Sequence, residues 1–158
     1  MNTGAYDVLS EHQHIRRMVD RLETALDKRL SASATATIEA GSVSYEWLEE
    51  ARPVLLELAS GLSSHFLGEE AEFFGDVTRR LPRHAPTVER LIEQHRRLSQ
   101  DFGKSATDVT TLDPSHSDTV EAFVSLLSKA LRLLRAHEEQ ENELMLVAYW
   151  QDLGETSD

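Results

Sequence analysis

The chain contains no cysteine, which excludes disulfides, thiolate-bound zinc, iron–sulfur ligation and thiol nucleophiles. Glycine and proline are sparse, seven and four in 158 residues, so little interrupts a helical pattern. No apolar run approaches the ~20 residues that a membrane span needs, and none is expected. Positive charge is also scarce: 16 Lys and Arg against 28 Asp and Glu leave a net charge of −12. A nucleic-acid partner requires a concentrated basic face, and none is present. The pairs Arg16-Arg17, Arg79-Arg80 and Arg96-Arg97 and the stretch Arg132 to Arg135 read as solvated helix faces flanked by acids. The segment MNTGAYDVLSEH lacks a basic stretch followed by an apolar one, so no secretory signal is expected, and a cytoplasmic setting is.

What remains is rich in Leu, Ala, Glu and Arg, the composition of a helical protein. Its length suits a single domain, residues 1–158, with a core of its own. Apolar side chains recurring at three- and four-residue steps predict four helices. The first runs from about Tyr6 to Leu30, and the small, polar stretch from Ser31 to Ser42 reads as a connector. A short helical piece starts near Tyr45, and Pro53 kinks or restarts it. The second long helix spans about Pro53 to Val77, with Leu55, Leu58, Leu62 and Phe73 on its stripe. A turn at Leu81 to Pro86 leads to the third, with Pro86 in its first turn and Val88, Leu91, Leu98 and Phe102 inward. After a polar loop from Val109 to Ser117, Ser117 or Asp118 caps the fourth. Four amphipathic helices with modest links predict an all-α, antiparallel up-down-up-down bundle.

Six polar residues break these apolar stripes: His12, His65, Glu69, His95, His137 and Glu141. Two of the histidines precede a glutamate by four residues, which stacks each pair on one helix face. His12 and His95 lie near the starts of their helices and the two pairs near the ends of theirs, so antiparallel packing brings all six to one layer. Bare carboxylates in a bundle core would each cost several kcal/mol unless a cation compensates. No Lys or Arg occupies an inward position beside them, so a metal is the expected compensation. Imidazoles with two carboxylates suit iron or manganese better than calcium or magnesium. The residues three before each histidine are Leu9, Leu62, Ile92 and Leu134. The Glu-x-x-His scheme of ferritin-type bundles is therefore absent, and an apolar lid one turn from the ligands is expected instead. His14, His84 and His116 are expected on the surface.

The segments EHQHIRRMVDRLE, SHFLGEEAEFF, EQHRRL and AHEEQENELM resemble the four helical signatures of the hemerythrin-like HHE cation-binding family, over nearly the whole chain. The resemblance implies a di-iron centre in an all-α bundle. In it His12, His65, His95 and His137 would be terminal ligands, Glu69 and Glu141 would bridge two irons, and an oxo or hydroxo group would complete the bridge. Glu70 matches the family's second acidic residue and points aside, which implies a supporting or solvated role. Where oxygen-carrying hemerythrins place a fifth histidine, this chain has Ser99. Two imidazoles per metal, two shared carboxylates and one oxygen bridge then leave each iron an open position, as a reactive site requires.

Two functional classes follow from the resemblance. In the first, the open sites take O2, NO or peroxide, with or without turnover, in oxidative or nitrosative stress or oxygen response. Tyr6 and Tyr149 are the nearest candidates for a general acid. In the second, the protein stores, donates or senses iron, the sensing acting through a separate partner protein. With no cysteine in the sequence, the cysteine-bearing extension of the iron-centre repair relatives is not expected. A metal-free structural bundle ranks third.

Overall fold

A computed structural model describes the backbone of residues 3–35 and 45–154 and the side chains of residues 8–31 and 45–149. Four long helices carry the fold: α1 (Thr3–Thr35), α2 (Glu46–Ala71), α4 (Ala85–Thr111) and α5 (Ser117–Gly154). A short α3 (Phe73–Arg80) and a 3-10 turn (Pro82–His84) link α2 to α4. Each long helix packs against the next in sequence, and α5 closes the ring on α1. No strand occurs among the described residues. No helix among them is long and apolar enough to cross a membrane.

Several boundaries differ from the sequence expectation, each for a local reason. The first helix continues to Thr35 rather than ending at Leu30, because Ser, Ala and Thr cost only tenths of a kcal/mol in a helix and no Gly or Pro intervenes. The rest of the proposed connector, residues 36–44, lies outside the described residues. Helix α2 passes through Pro53 without a restart. Pro53 and Glu49 are both exposed, so the carbonyl that loses its helical donor can turn to water. The second helix instead breaks at Glu72, where φ is −112° and ψ −67°. Just past it, the consecutive residues Phe73 and Phe74 are both buried. Helix α4 extends to Thr111, with Val109 fully buried, so the polar loop is shorter than Val109 to Ser117. Helix α5 opens when Val120 N–H donates to the His116 carbonyl at 3.0 Å, which puts Asp118 in the first turn rather than at the cap. Pro86 does sit in the first turn of α4.

The buried side chains fall into two apolar clusters. The larger, including Leu22, Leu55, Leu58, Phe102 and Leu127, fills the body of the bundle. The smaller gathers Phe73, Phe74, Val77, Val88, Leu91, Leu144, Met145 and Ala148 at one end. At 20–33 cal/mol per Å² of apolar area, both contribute stabilisation, yet they do not merge. Between them lies a polar layer.

Candidate metal centre

That layer holds all six residues singled out from the sequence. His12, Glu141 and His137 are 0% exposed, Glu69 and His95 2% and His65 6%. Their atoms form two groups, one of His12, His65, Glu69 and Glu141 and the other of Glu69, His95, His137 and Glu141. In each group one ligand atom per residue lies within 4.8 Å of all the others. Both carboxylates belong to both groups, and each group adds its own two imidazoles.

The imidazole Nε2 atoms face the acids. His12 Nε2 and His65 Nε2 each lie 2.9 Å from Glu69 Oε1. His12 Nε2 is also 3.4 Å from Glu141 Oε2. His137 Nε2 is 2.8 Å from Glu141 Oε1, and His95 Nε2 is 3.3 Å from both Glu69 Oε2 and Glu141 Oε1. Several of these close atoms lack hydrogen-bond alignment. His137 Nε2, Glu69 Oε2 and Glu141 Oε2 are buried without a hydrogen-bond partner. Orphaned buried acceptors cost ~1–3 kcal/mol or more each, so lone pairs gathered on shared points need something cationic among them. The donor set fits that need: neutral imidazoles and carboxylates are ligands for a first-row transition metal.

On the other side of the rings, Glu11 and Gln94, which the sequence did not single out, and Glu70, for which a supporting or solvated role was expected, hold the histidines in place. The Nδ1–H of His65 donates to Glu11 Oε2 at 2.6 Å, that of His137 to Gln94 Oε1 at 2.7 Å, and that of His95 to Glu70 Oε1 at 2.9 Å. A proton on Nδ1 fixes the tautomer whose Nε2 lone pair points inward, the usual support for a metal-binding histidine. The His95 ring also lies nearly parallel to Phe66 at 4.0 Å and to Phe74 at 5.3 Å.

With no metal bound, the layer's own charges would compensate one another. Burial pushes the His12 imidazole down, but the facing Glu141 and Glu69 carboxylates outweigh it and hold the group up at about 10. His95 is lifted in the same way to about 9, with Glu70 assisting. Burial would raise Glu69, but His12, His65 and His95 hold it below the usual carboxylate range. Burial opposes ionisation of Glu141 too, and His12, His137 and His95 hold it well below that range. In a metal-free form imidazolium would thus balance the two carboxylates.

A third acid is buried beside these two. Glu138 is 4% exposed and its Oε1 has no partner. Burial raises it to about 7 against the pull of His12 and Arg16, whose Nε lies 3.8 Å from Glu138 Oε2. An arginine therefore does approach the layer, from a side chain that is itself 45% exposed. Because the folded value exceeds the unfolded one, Glu138 opposes folding increasingly as pH rises from 4.5 to 7, and fully above that. In the metal-free protein Glu138→Gln should gain about 1–2 kcal/mol by urea melt at pH 8 and almost nothing at pH 4. An equal gain at both values would exclude a charge effect.

The expected apolar lid is incomplete. Leu62 and Leu134 are 1% exposed, but Leu9 is 43% exposed and Ile92 half-buried. Chain direction explains the split. One turn before the histidine lies toward the body of the bundle in α2 and α5, and toward its end in α1 and α4. Ser99 is exposed, while Leu98 and Phe102 carry α4 into the core. Tyr149 packs on Phe73 at 6.5 Å. The Tyr6 side chain lies outside the described residues. His14 and His116 are exposed, and His84 is half-buried rather than on the open surface.

Fold and site together define a helical-bundle, cation-binding protein with a buried histidine–carboxylate layer. The chain matches the family model of the hemerythrin HHE cation-binding domain over residues 3–149, and it belongs to that family. No curated protein and no solved structure matches it.

Proposed function

We propose that this is a non-haem di-iron protein whose irons are held by His12, His65, His95 and His137 and shared by Glu69 and Glu141. A small diatomic or peroxide ligand (O2, NO or H2O2) would occupy the positions left open, in oxidative or nitrosative stress or oxygen response. The proposal includes a cytoplasmic setting, where a reducing poise supplies iron in its ferrous form. One observation carries it: two four-residue groups overlap in both carboxylates while each keeps two imidazoles of its own. A single-ion site would have no use for that duplication.

Bound irons would supply redox electrons and exchangeable positions. The chain's own residues orient the imidazoles through Glu11, Glu70 and Gln94 and exclude water by the aromatic packing around His95. A second reading, iron storage, donation, or sensing through a partner protein, draws support from the half-open lid at Leu9 and the small residual exposure of His65. Both would let iron exchange.

Stopped-flow mixing of the diferrous protein with O2, NO or peroxide separates the two. Sustained turnover is the expected result for the first reading. Slow autoxidation accompanied by iron release would replace it with the second.

A further inference from the structure

A groove of about 510 Å³ runs between α1 and α2, and His65 forms part of its wall. His65 is also the site residue with the most residual exposure, 6%, where the other five have 2% or less. Its Nδ1 is held at 2.6 Å by Glu11, whose side chain is 56% exposed. Further along the same groove His14 Nε2 and Glu57 Oε1 face each other at 3.3 Å, 53% and 59% exposed. The groove thus presents two exposed carboxylates and an exposed imidazole along a wall that His65 joins to the buried layer.

We propose that this groove is the path by which ferrous ions reach the buried site. Glu57 and His14 meet the hydrated ion, Glu11 holds it at the inner end of the groove, and the ion enters past the His65 ring to the side where Nε2 faces Glu69. The inference rests on the di-iron reading and adds a direction of loading to it. The chemistry favours a cation over a neutral gas: oxygen and nitrogen ligands at the mouth suit a borderline divalent ion. An acidic cleft also concentrates cations and speeds their capture.

Gly61 offers the means of closing the path. It lines the groove, and a Cβ built there meets nothing within 4 Å, so a larger side chain can start into the space without a backbone or side-chain clash at its root. Gly103 on α4 is matched to it, helical and equally open, but away from the groove. The full-length apo protein would be mixed anaerobically with Fe2+ alone and quenched with excess chelator at increasing times.

The expected result is Gly61→Phe filling about tenfold more slowly than wild type, within the range that cleft electrostatics and access control. Glu57→Gln should fill several-fold more slowly, with a shallower salt dependence. Both should reach the wild-type final iron content, and Gly103→Phe should match wild type throughout. A wild-type rate in Gly61→Phe, or equal slowing in Gly103→Phe, would overturn the path. Should Gly61→Phe lose capacity, Glu57→Gln decides alone, and an unchanged rate and salt dependence there would overturn it equally. A wild-type protein that takes up no iron would instead refute the di-iron reading itself. The two failures are therefore distinguishable.

Discussion

Replacing Glu141 by Ala should empty the site of iron and lower thermal stability in one step. Glu141 is 0% exposed and belongs to both four-residue groups, so its loss removes a ligand from each. Its oxygens lie within 3.4 Å of three imidazoles, His12, His95 and His137. Without it those rings lose the carboxylate that holds His12 and His95 protonated in the apo form. Removing one partner of a buried charge pair costs about 3–5 kcal/mol. The iron-loaded protein loses more, because bound metal stabilises the folded state by about 2.7 kcal/mol at a free concentration one hundred times Kd. Calorimetry with elemental analysis on the same samples checks this. Iron content should fall below half of wild type together with Tm. A variant that kept its iron would remove Glu141 from the ligand set.

The second large effect is on pH. In the metal-free protein His12 titrates at about 10 and His95 at about 9, so both carry protons at neutral pH. Ligation requires neutral imidazole, so loading must expel a proton from each. With both groups raised above their unfolded value, the stability they give the apo form is complete below pH 6.5 and is lost as pH rises through 9 to 10. Metal binding has the opposite slope. The overall constant for filling the site should rise about hundredfold per pH unit between pH 6.5 and 9, one factor of ten for each proton displaced. It should flatten above pH 10, where no protons remain to displace. Chelator competition at pH 6.5, 7.5 and 8.5, with proton release followed by an indicator dye, measures both quantities. Binding independent of pH over that range would show that the histidines are not displaced from protons and hence are not ligands.

The bundle and its polar layer were legible in sequence for a common reason. Histidine or glutamate at a position where the stripe asks for leucine is a conspicuous violation, and helical periodicity alone places it inward. The pairs His65–Glu69 and His137–Glu141 added a spacing that stacks both side chains. Glu138 was not visible in this way. It directly follows His137, a hundred degrees around the helix, on a second buried edge through Leu134 and Met145. Glu11 and Gln94 were invisible for another reason. Each precedes a site histidine in sequence but supports one on a neighbouring helix, Glu11 clasping His65 and Gln94 clasping His137. Periodicity within one helix says which way a residue points, not which neighbour it meets. The break at Glu72 was hidden because no glycine or proline marks it.

The count of metal ions per chain is the most direct measurement. The protein would be loaded anaerobically with Fe2+, freed of excess ion and submitted to elemental analysis alongside a protein assay. Sharing of Glu69 and Glu141 between two pairs of histidines predicts about two irons for each polypeptide. A single ion, or zinc retained in place of iron, would contradict it.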